Sequence, residues 1–167
     1  MAAPAGGVLR VVATPIGHLG DLSPRAAETL AQADLVLCED TRHTGALLTH
    51  LGLRKTTRSL HAHNELDQIP YVLRELEAGR QIALVSDAGT PCLSDPGARL
   101  IDAACRAVQE HLFMEKGAQV LTVSCKEANL RGRHVAERSG ALAEGVLDGS
   151  AKYVVMRGVW LEKRARL

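Results

Sequence analysis

Short apolar runs alternate with longer amphipathic segments through the first two thirds of the chain. Four of these runs are predicted to be buried strands, at residues 8–13, 34–38, 59–61 and 82–86. The segments after them have the periodicity of helices, over 24–33, 44–51, 66–78 and 96–108. A strand followed by a helix four times over predicts right-handed βαβ units. The fold class is therefore α/β, with a mostly parallel sheet and helices on both faces.

Local signals support these boundaries. Ser23-Pro24 and Asp95-Pro96 each pair a capping side chain with a proline in the first helical turn. Among the apolar positions of the strands, we predict that Val11, Val36 and Leu84 lie in the core.

The pattern weakens beyond residue 107. Residues 118–124 and 153–156 are predicted to be further strands, whereas glycines at 132, 140 and 145 argue against a helix in the polar stretch between them. The basic end of the chain, 160–167, is predicted to be frayed. We therefore divide the chain into an α/β cofactor- and substrate-binding domain at 1–107 and an atypical carboxyl-terminal segment at 108–167, which is divergent or truncated.

Composition narrows the classes of function. One Trp, one Phe and two Tyr are too few for a platform on which unpaired bases stack, and a net charge of +1 gives no strong preference for nucleic acid. No apolar stretch approaches the roughly 18 residues of a membrane span, so no membrane association is expected. The four cysteines form no Cys-x-x-Cys pair, which is typical of reduced thiols in a cytoplasmic protein and not of a zinc site.

Two polar, glycine-containing loops follow the first and the fourth predicted strands. They are Thr-Pro-Ile-Gly-His-Leu-Gly-Asp at 14–21 and Ser-Asp-Ala-Gly-Thr-Pro-Cys-Leu-Ser-Asp-Pro-Gly at 86–97. Ligands of open α/β sheets bind outside the carboxyl ends of the strands, and Gly89 would let the backbone approach a ligand closely. We predict that the two loops meet at one edge of the sheet and form a small-molecule site.

Four motifs in a fixed order carry a resemblance to a known family. They are ATPIGHLGDLS at 13–23, EDTRHT at 39–44, HAHNE at 61–65 and VSDAGTPCLSDPG at 85–97. Together they resemble the amino-terminal domain of the tetrapyrrole-methylase superfamily of S-adenosyl-L-methionine-dependent methyltransferases. They are more similar to its ribosomal RNA-modifying branch than to its porphyrin-modifying members.

The resemblance implies a cofactor, a reaction and partners. The cofactor is S-adenosyl-L-methionine, with Pro15 in the first loop that approaches it and Ala88, Gly89 and Thr90 in the segment whose backbone lines its pocket. The reaction is methylation of the ribose 2′-hydroxyl of a cytidine in 16S rRNA of the small ribosomal subunit, without a metal. The family is usually dimeric and holds its cofactor between two α/β domains, so we expect a cytoplasmic homodimer.

Departures from the family pattern are also visible in the sequence. His18 stands where Asn is commoner, and Cys92 stands where Gly is. After Arg106 the family continues with a strand and a proline-glycine-proline-serine loop, whereas here residues 108–114 read Val-Gln-Glu-His-Leu-Phe-Met. The second domain is not expected within this length.

The general base for such a transfer stays unassigned. A base beside the hydroxyl would accelerate the reaction by about 10²–10⁴-fold. The candidates share a position near the ends of the predicted strands: Glu39, Asp40, His43, His63, Glu65 and Asp87. For each acid among them, the alternative is a structural role as a helix cap or as a partner for Arg42.

Two alternatives remain open at this point. His61 and His63 would face the same way on a strand and, with Asp87, could form the metal site of a hydrolase. The chain could also be a non-catalytic partial domain, with RNA contacts made only by basic clusters at 54–58 and 163–166.

Overall fold

The computed structural model describes residues 6–89, 91 and 97–165 and divides the chain into two compact units, Met1–Ile101 and Asp102–Leu167. The first unit contains β1 (Val8–Val12), α1 (Pro24–Gln32), β2 (Leu35–Cys38), α2 (Thr41–His50), β3 (Thr56–Ser59), α3 (Glu65–Glu77), β4 (Gln81–Val85) and the start of α4 (Ala98–Glu110). The boundary predicted at 107/108 falls inside α4, a few residues after the division between the units.

The sheet of the first unit is parallel throughout. Its strand order is β1-β4-β2-β3, and each neighbouring pair runs in the same direction. Parallel strands need crossover connections, so each strand is followed by a helix that returns the chain to the end of the sheet where the strands begin. The predicted α/β fold is confirmed.

Alternate residues of the central strands supply two separate cores. Val36 and Cys38 pack with Ala83, Val85 and the buried residues of α1 and α2, whereas Leu35 and Leu37 pack with Ile82, Leu84 and those of α3 and α4. Burial on both faces explains why β2 and β4 read as continuous apolar runs. The predicted helices on both faces are confirmed.

One of the three predicted core residues is wrong. Val36 and Leu84 are buried, but Val11 is 44% exposed. The reason is topological: β1 is an end strand of the described sheet and pairs with β4 alone, so its outward side chains lack the cover that the central strands have. An apolar run in the sequence does not distinguish an end strand from a central one.

Helix starts are set by side chains that accept backbone N–H groups. Ser23 Oγ accepts from the N–H of Ala26 at 3.2 Å, with Pro24 in the first turn of α1, as predicted. The Asp40 carboxylate accepts from the N–H of Arg42 at 2.8 Å, so α2 begins at Thr41, earlier than predicted. The other predicted cap, Asp95-Pro96, lies outside the described residues.

The second unit is an antiparallel sheet with helices. It contains a π-helical turn (His111–Glu115), β5 (Val120–Lys126), α5 (Leu130–Arg138), β6 (Leu142–Leu147), β7 (Ser150–Met156) and α6 (Arg157–Arg164). The strand order is β5-β7-β6. Both strands predicted in this region are present, whereas α5, β6 and α6 were not predicted.

Two of the missed elements, α5 and β6, have a local cause. Asn129 caps α5 by accepting the N–H of Gly132 at 3.0 Å, so this glycine lies in the first turn, where it disturbs the helix least. Asp148 and Gly149 both have positive φ angles, 49° and 68°, which suits a two-residue hairpin turn between β6 and β7. The Asp-Gly pair was a usable hairpin signal in the sequence. Within the described ranges, no helix has the length and apolar character needed to cross a membrane.

Candidate functional site

The loops after β1 and β4 are bonded to each other. The N–H of Thr14 donates to the carbonyl of Gly89 at 2.7 Å, and the N–H of Gly89 donates to the carbonyl of Thr14 at 3.0 Å. The two strands are parallel neighbours, with Val12 opposite Val85, so their loops leave from the same edge of the sheet. The prediction that these loops meet at one edge of the sheet is confirmed. We call this edge, where β1, β2 and β4 end, the rim.

Buried hydroxyl groups fix the start of the second loop, at residues 86–89. Thr14 Oγ1 donates to the carbonyl of Ser86 at 2.9 Å, and Ser86 Oγ donates to the carbonyl of Gly89 at 3.2 Å. Both side chains are buried, at 8% and 3% exposure. The loop backbone is therefore held by the chain itself, which is the preorganisation that ligand binding favours.

Gly89 is required by its backbone conformation. Its φ of +87° lies in the left-handed region, where a side chain is strained. Among the described residues, the nearest atom that a Cβ there would meet is Ile16 Cγ1 at 3.9 Å, so the backbone angle is the constraint.

The predicted cofactor-binding residues fall at this junction. Pro15 is half-buried beside Thr14, and Ala88 is exposed beside Gly89. Ile16, the next residue in the first loop, is 86% exposed. Thr90 lies outside the described residues. The rim thus presents small side chains and accessible backbone from two neighbouring strands.

The end of β2 joins the same rim through two aspartates. The N–H of Asp40 donates to Asp87 Oδ1 at 3.2 Å. The Asp40 carboxylate also forms an ion pair with Arg42 at 2.7 Å. Hydrogen bonds from the Arg42 side chain, and then from its backbone N–H, lower the pKa of Asp40 to about 2. Asp40 is therefore ionised at neutral pH and a poor proton acceptor.

Cys38, just before these aspartates, is a buried thiol. Burial is the largest cause that raises its pKa, and the nearby negative charges of Asp87 and Asp40 act in the same direction. A neutral thiol at this position is a packing group and not a nucleophile.

The remaining candidate bases separate into exposed and buried groups. Glu39, His43 and His63 are exposed. Glu65 is only 5% exposed, and its Oε1 accepts the N–H groups of Gly97 and Leu100 at 2.9 and 3.1 Å. Glu65 has the helix-cap role that was the alternative for each acid, because its carboxylate is directed into the protein and accepts backbone N–H groups at the start of α4.

The geometry required for the hydrolase alternative is absent. β3 ends at Ser59, so His61 and His63 lie in the following turn and do not alternate on a strand. Their ring centroids are 6.1 Å apart. In the part of the chain that the structure describes, no three His, Cys, Asp or Glu side chains are grouped as metal ligands. A shallow depression on the second unit, at 144–147 and Lys152, contains none of the predicted site residues.

One departure from the family pattern, His18, and one basic cluster, at 54–58, have structural roles, whereas Cys92 lies outside the described residues. His18 Nδ1 accepts the N–H of Gly20 at 3.1 Å, a bond that an asparagine side chain could also accept. Lys55 Nζ donates to the carbonyls of Ala31 and Ala33 at the end of α1, and the Arg58 guanidinium lies 4.0 Å over the Tyr71 ring. The basic cluster at 54–58 is therefore largely occupied by intramolecular contacts.

Three residues at the site have partners that the sequence did not indicate. Thr14 and Ser86 hold the two loops together, and Glu65 holds the start of α4. A hydroxyl residue directly after each of two buried strands was the available signal for the first pair. No local pattern reveals that Glu65 points inward, because its partners are 32 and 35 residues away.

Most of the chain matches a known family of methylases in sequence. The family model described as tetrapyrrole (corrin/porphyrin) methylases matches residues 8–112. The chain belongs to this family.

Individual relatives within the family carry a more specific name. A Synechocystis sp. protein is 48% identical over 124 residues, which cover 74% of this chain and 44% of the relative. A Haemophilus influenzae protein is 53% identical over 95 residues, 57% of this chain and 34% of the relative. One from Xylella fastidiosa is 52% identical over 98 residues, 59% of this chain and 36% of the relative.

All three relatives are named ribosomal RNA small subunit methyltransferase I. The matched part of this chain spans 34% to 44% of the length of these relatives.

Proposed function

We propose that this chain binds S-adenosyl-L-methionine at the joined loops after β1 and β4, as part of an enzyme that methylates the ribose 2′-hydroxyl of a cytidine in 16S rRNA. The observation that carries the proposal is the pair of hydrogen bonds between Thr14 and Gly89, which brings both predicted cofactor loops to one rim. The names of the relatives support ribosomal RNA of the small subunit as the substrate.

The described residues suit this cofactor. Pro15, Ala88 and Gly89, with Thr90 beyond the described residues, would bind it mainly through backbone, since their side chains are small. The cofactor is a sulfonium cation that supplies an electrophilic methyl group, and the Asp87 carboxylate at the same rim favours positive charge. The contribution of this chain to the reaction is to hold the cofactor in a fixed orientation, which is the main requirement of an in-line displacement.

Replacing Gly89 tests the cofactor site. Gly89→Val places a β-branched residue at a φ of +87°, so we expect affinity for S-adenosyl-L-methionine to fall at least about tenfold, to the point of no detectable binding by calorimetry. Gly79→Val is the matched control, because Gly79 has a φ of +84° but follows α3 at the other end of the unit's strands. Unchanged affinity in Gly89→Val would contradict the site.

The reaction is tested by transfer of a labelled methyl group to small ribosomal subunits that lack the modification. Digestion to nucleosides should yield labelled 2′-O-methylcytidine, whereas label on a base would contradict the proposed position. Cofactor binding without transfer would favour the second candidate, a non-catalytic partial domain. The observation in favour of that candidate is that the match to the family model ends at residue 112, before most of the second unit.

We further propose that the protein acts as a homodimer in the cytoplasm, where its ribosomal substrate is assembled. The support is the resemblance to a family that is usually dimeric. Sedimentation equilibrium should give twice the 17.9 kDa chain mass. A monomer at micromolar concentration would contradict the dimer and leave the cofactor site unaffected.

A further inference from the structure

We propose that Glu65 is a positioning residue for the cofactor loop, through its hold on the first turn of α4. This inference rests on the proposed function. The loop that begins at Ser86 is held at one end by Thr14, and the chain reaches α4 at Gly97 and Ala98. Glu65 fixes that second end.

The carboxylate of Glu65 acts as a cap for the start of α4 from a distant part of the chain. A helix leaves its first N–H groups without partners, and a side chain just before the first turn normally accepts one of them. The residue before α4 is Gly97, which has no side chain and a φ of +121°. Glu65 Oε1 accepts both the Gly97 N–H at 2.9 Å and the Leu100 N–H at 3.1 Å. A buried anion at a helix N-terminus is also favoured by the helix dipole.

Glu65 is itself held by a rigid turn between β3 and α3. Asn64 Oδ1 accepts the N–H of His61 at 2.8 Å, and Asn64 Nδ2 donates to the carbonyl of Ser59 at 3.2 Å. The N–H of Glu65 donates to the carbonyl of His61 at 3.0 Å. The turn therefore fixes the backbone from which the Glu65 side chain reaches α4.

This arrangement gives a structural role to the motif at 61–65. Its asparagine shapes the turn and its glutamate fastens α4, so neither side chain needs to touch a ligand. With Gly89 fixed by Thr14 and Gly97 fixed by Glu65, the residues between them connect two points that the sheet and α3 hold in place. A binding loop that is already held in place loses less conformational entropy when the ligand binds.

The test separates reach, charge and helix capping. Glu65→Gln keeps the length and an accepting oxygen but removes the charge, whereas Glu65→Asp keeps the charge but is one methylene too short. Asp67→Asn is the matched control, because Asp67 is an exposed acid in the same first turn of α3. The readouts are the calorimetric Kd for S-adenosyl-L-methionine and the exchange rates of the Gly97 and Leu100 amides, with the Val36 amide as a check that the sheet is intact.

We expect Glu65→Asp to weaken cofactor binding about tenfold and to speed exchange at both amides by a similar factor. Glu65→Gln should stay within about threefold of the parent chain in both readouts, and Asp67→Asn should match the parent. Rescue by Gln but not by Asp is the signature of an acceptor at a set distance. Equal weakening by Gln and Asp, or weakening by Asp67→Asn of the same size, would overturn the inference.

Failure of the proposed function would look different. If the parent chain does not bind the cofactor while exchange at Gly97 and Leu100 still depends on the length of residue 65, the hold on α4 stands and the cofactor assignment falls. If cofactor binding is unchanged in Glu65→Asp although the two amides exchange faster, the positioning role falls and the cofactor site stands.

Discussion

The two units bury their sheets in different ways. In the first unit every residue of β2 is buried, since helices cover both faces of the sheet. In the second unit β7 alternates between half-buried and buried residues up to the exposed Met156, and every residue of β6 is exposed. The comparison teaches that a two-sided sheet leaves a strong signal in the sequence as continuous apolar runs, whereas a one-sided sheet leaves only alternation.

The cores differ in size as well as in symmetry. The first unit has two clusters, one on each face of its sheet. The second has a single cluster in which Phe113 and Tyr153 are the large members and three of the other buried residues are alanines. Trp160 adds to it with its ring centroid 5.3 Å from that of Phe113. The second unit therefore depends on a few aromatic residues.

The greatest loss of stability is expected when a leucine is removed from the first sheet, and a leucine in the second sheet provides the comparison. Leu84→Ala empties a buried position in the central strand β4 and should lower the free energy of unfolding by about 2–5 kcal/mol. Leu147→Ala, at the exposed end of β6, should change it by less than about 0.5 kcal/mol. Urea denaturation followed by circular dichroism measures both. Similar losses for the two variants would mean that the second sheet is covered in solution.

A smaller effect is expected from the buried hydroxyl of the second unit. Tyr153 Oη accepts from Arg133 Nε at 3.0 Å and donates to Glu137 Oε1 at 3.3 Å. Tyr153→Phe keeps the ring but removes both bonds, so it should cost about 1–2 kcal/mol by the same denaturation assay.

Tyr71→Phe is the control in the first unit, because the Tyr71 ring packs under Arg58 and the substitution preserves that face. We expect a change below about 0.5 kcal/mol there. A Tyr153→Phe variant as stable as the parent would show that Tyr153 acts through its ring alone.

The smallest effect concerns the charge at the rim of the first unit. Arg42→Ala removes the main cause of the low pKa of Asp40, so this pKa should rise from about 2 toward the ordinary aspartate range. A carboxyl group whose pKa is lowered by folding stabilises the folded state when the pH is above the pKa of the unfolded chain. This stabilisation is lost as the pH falls through the pKa of the folded state. The pair therefore contributes at neutral pH and is lost between about pH 4 and pH 2.

Carbon-13 NMR titration of the Asp40 carboxyl measures this shift directly. Arg74→Ala, on the exposed side of α3, is the control and should leave the Asp40 titration unchanged. An Asp40 pKa that stays near 2 in Arg42→Ala would mean that other groups stabilise the carboxylate.

The sequence alone determined the alternation of strands and helices in the first unit and the identity of the two loops. The apolar runs of β2 and β4 and the Ser23-Pro24 start of α1 are local signals, so no distant contact was needed to interpret them. The motifs likewise indicated the family, because each lies within one short segment of chain.

Contacts between distant segments set which side chains face the rim and which face the interior. β3 pairs with β2 over Thr56–Ser59, earlier in the chain than the predicted strand at 59–61. His61 and His63 therefore lie in the turn that follows β3. The exposure of Val11 follows from strand order, and the inward direction of Glu65 follows from the position of α4. Strand order and burial depend on contacts between segments far apart in the chain, and a local pattern carries no record of those partners.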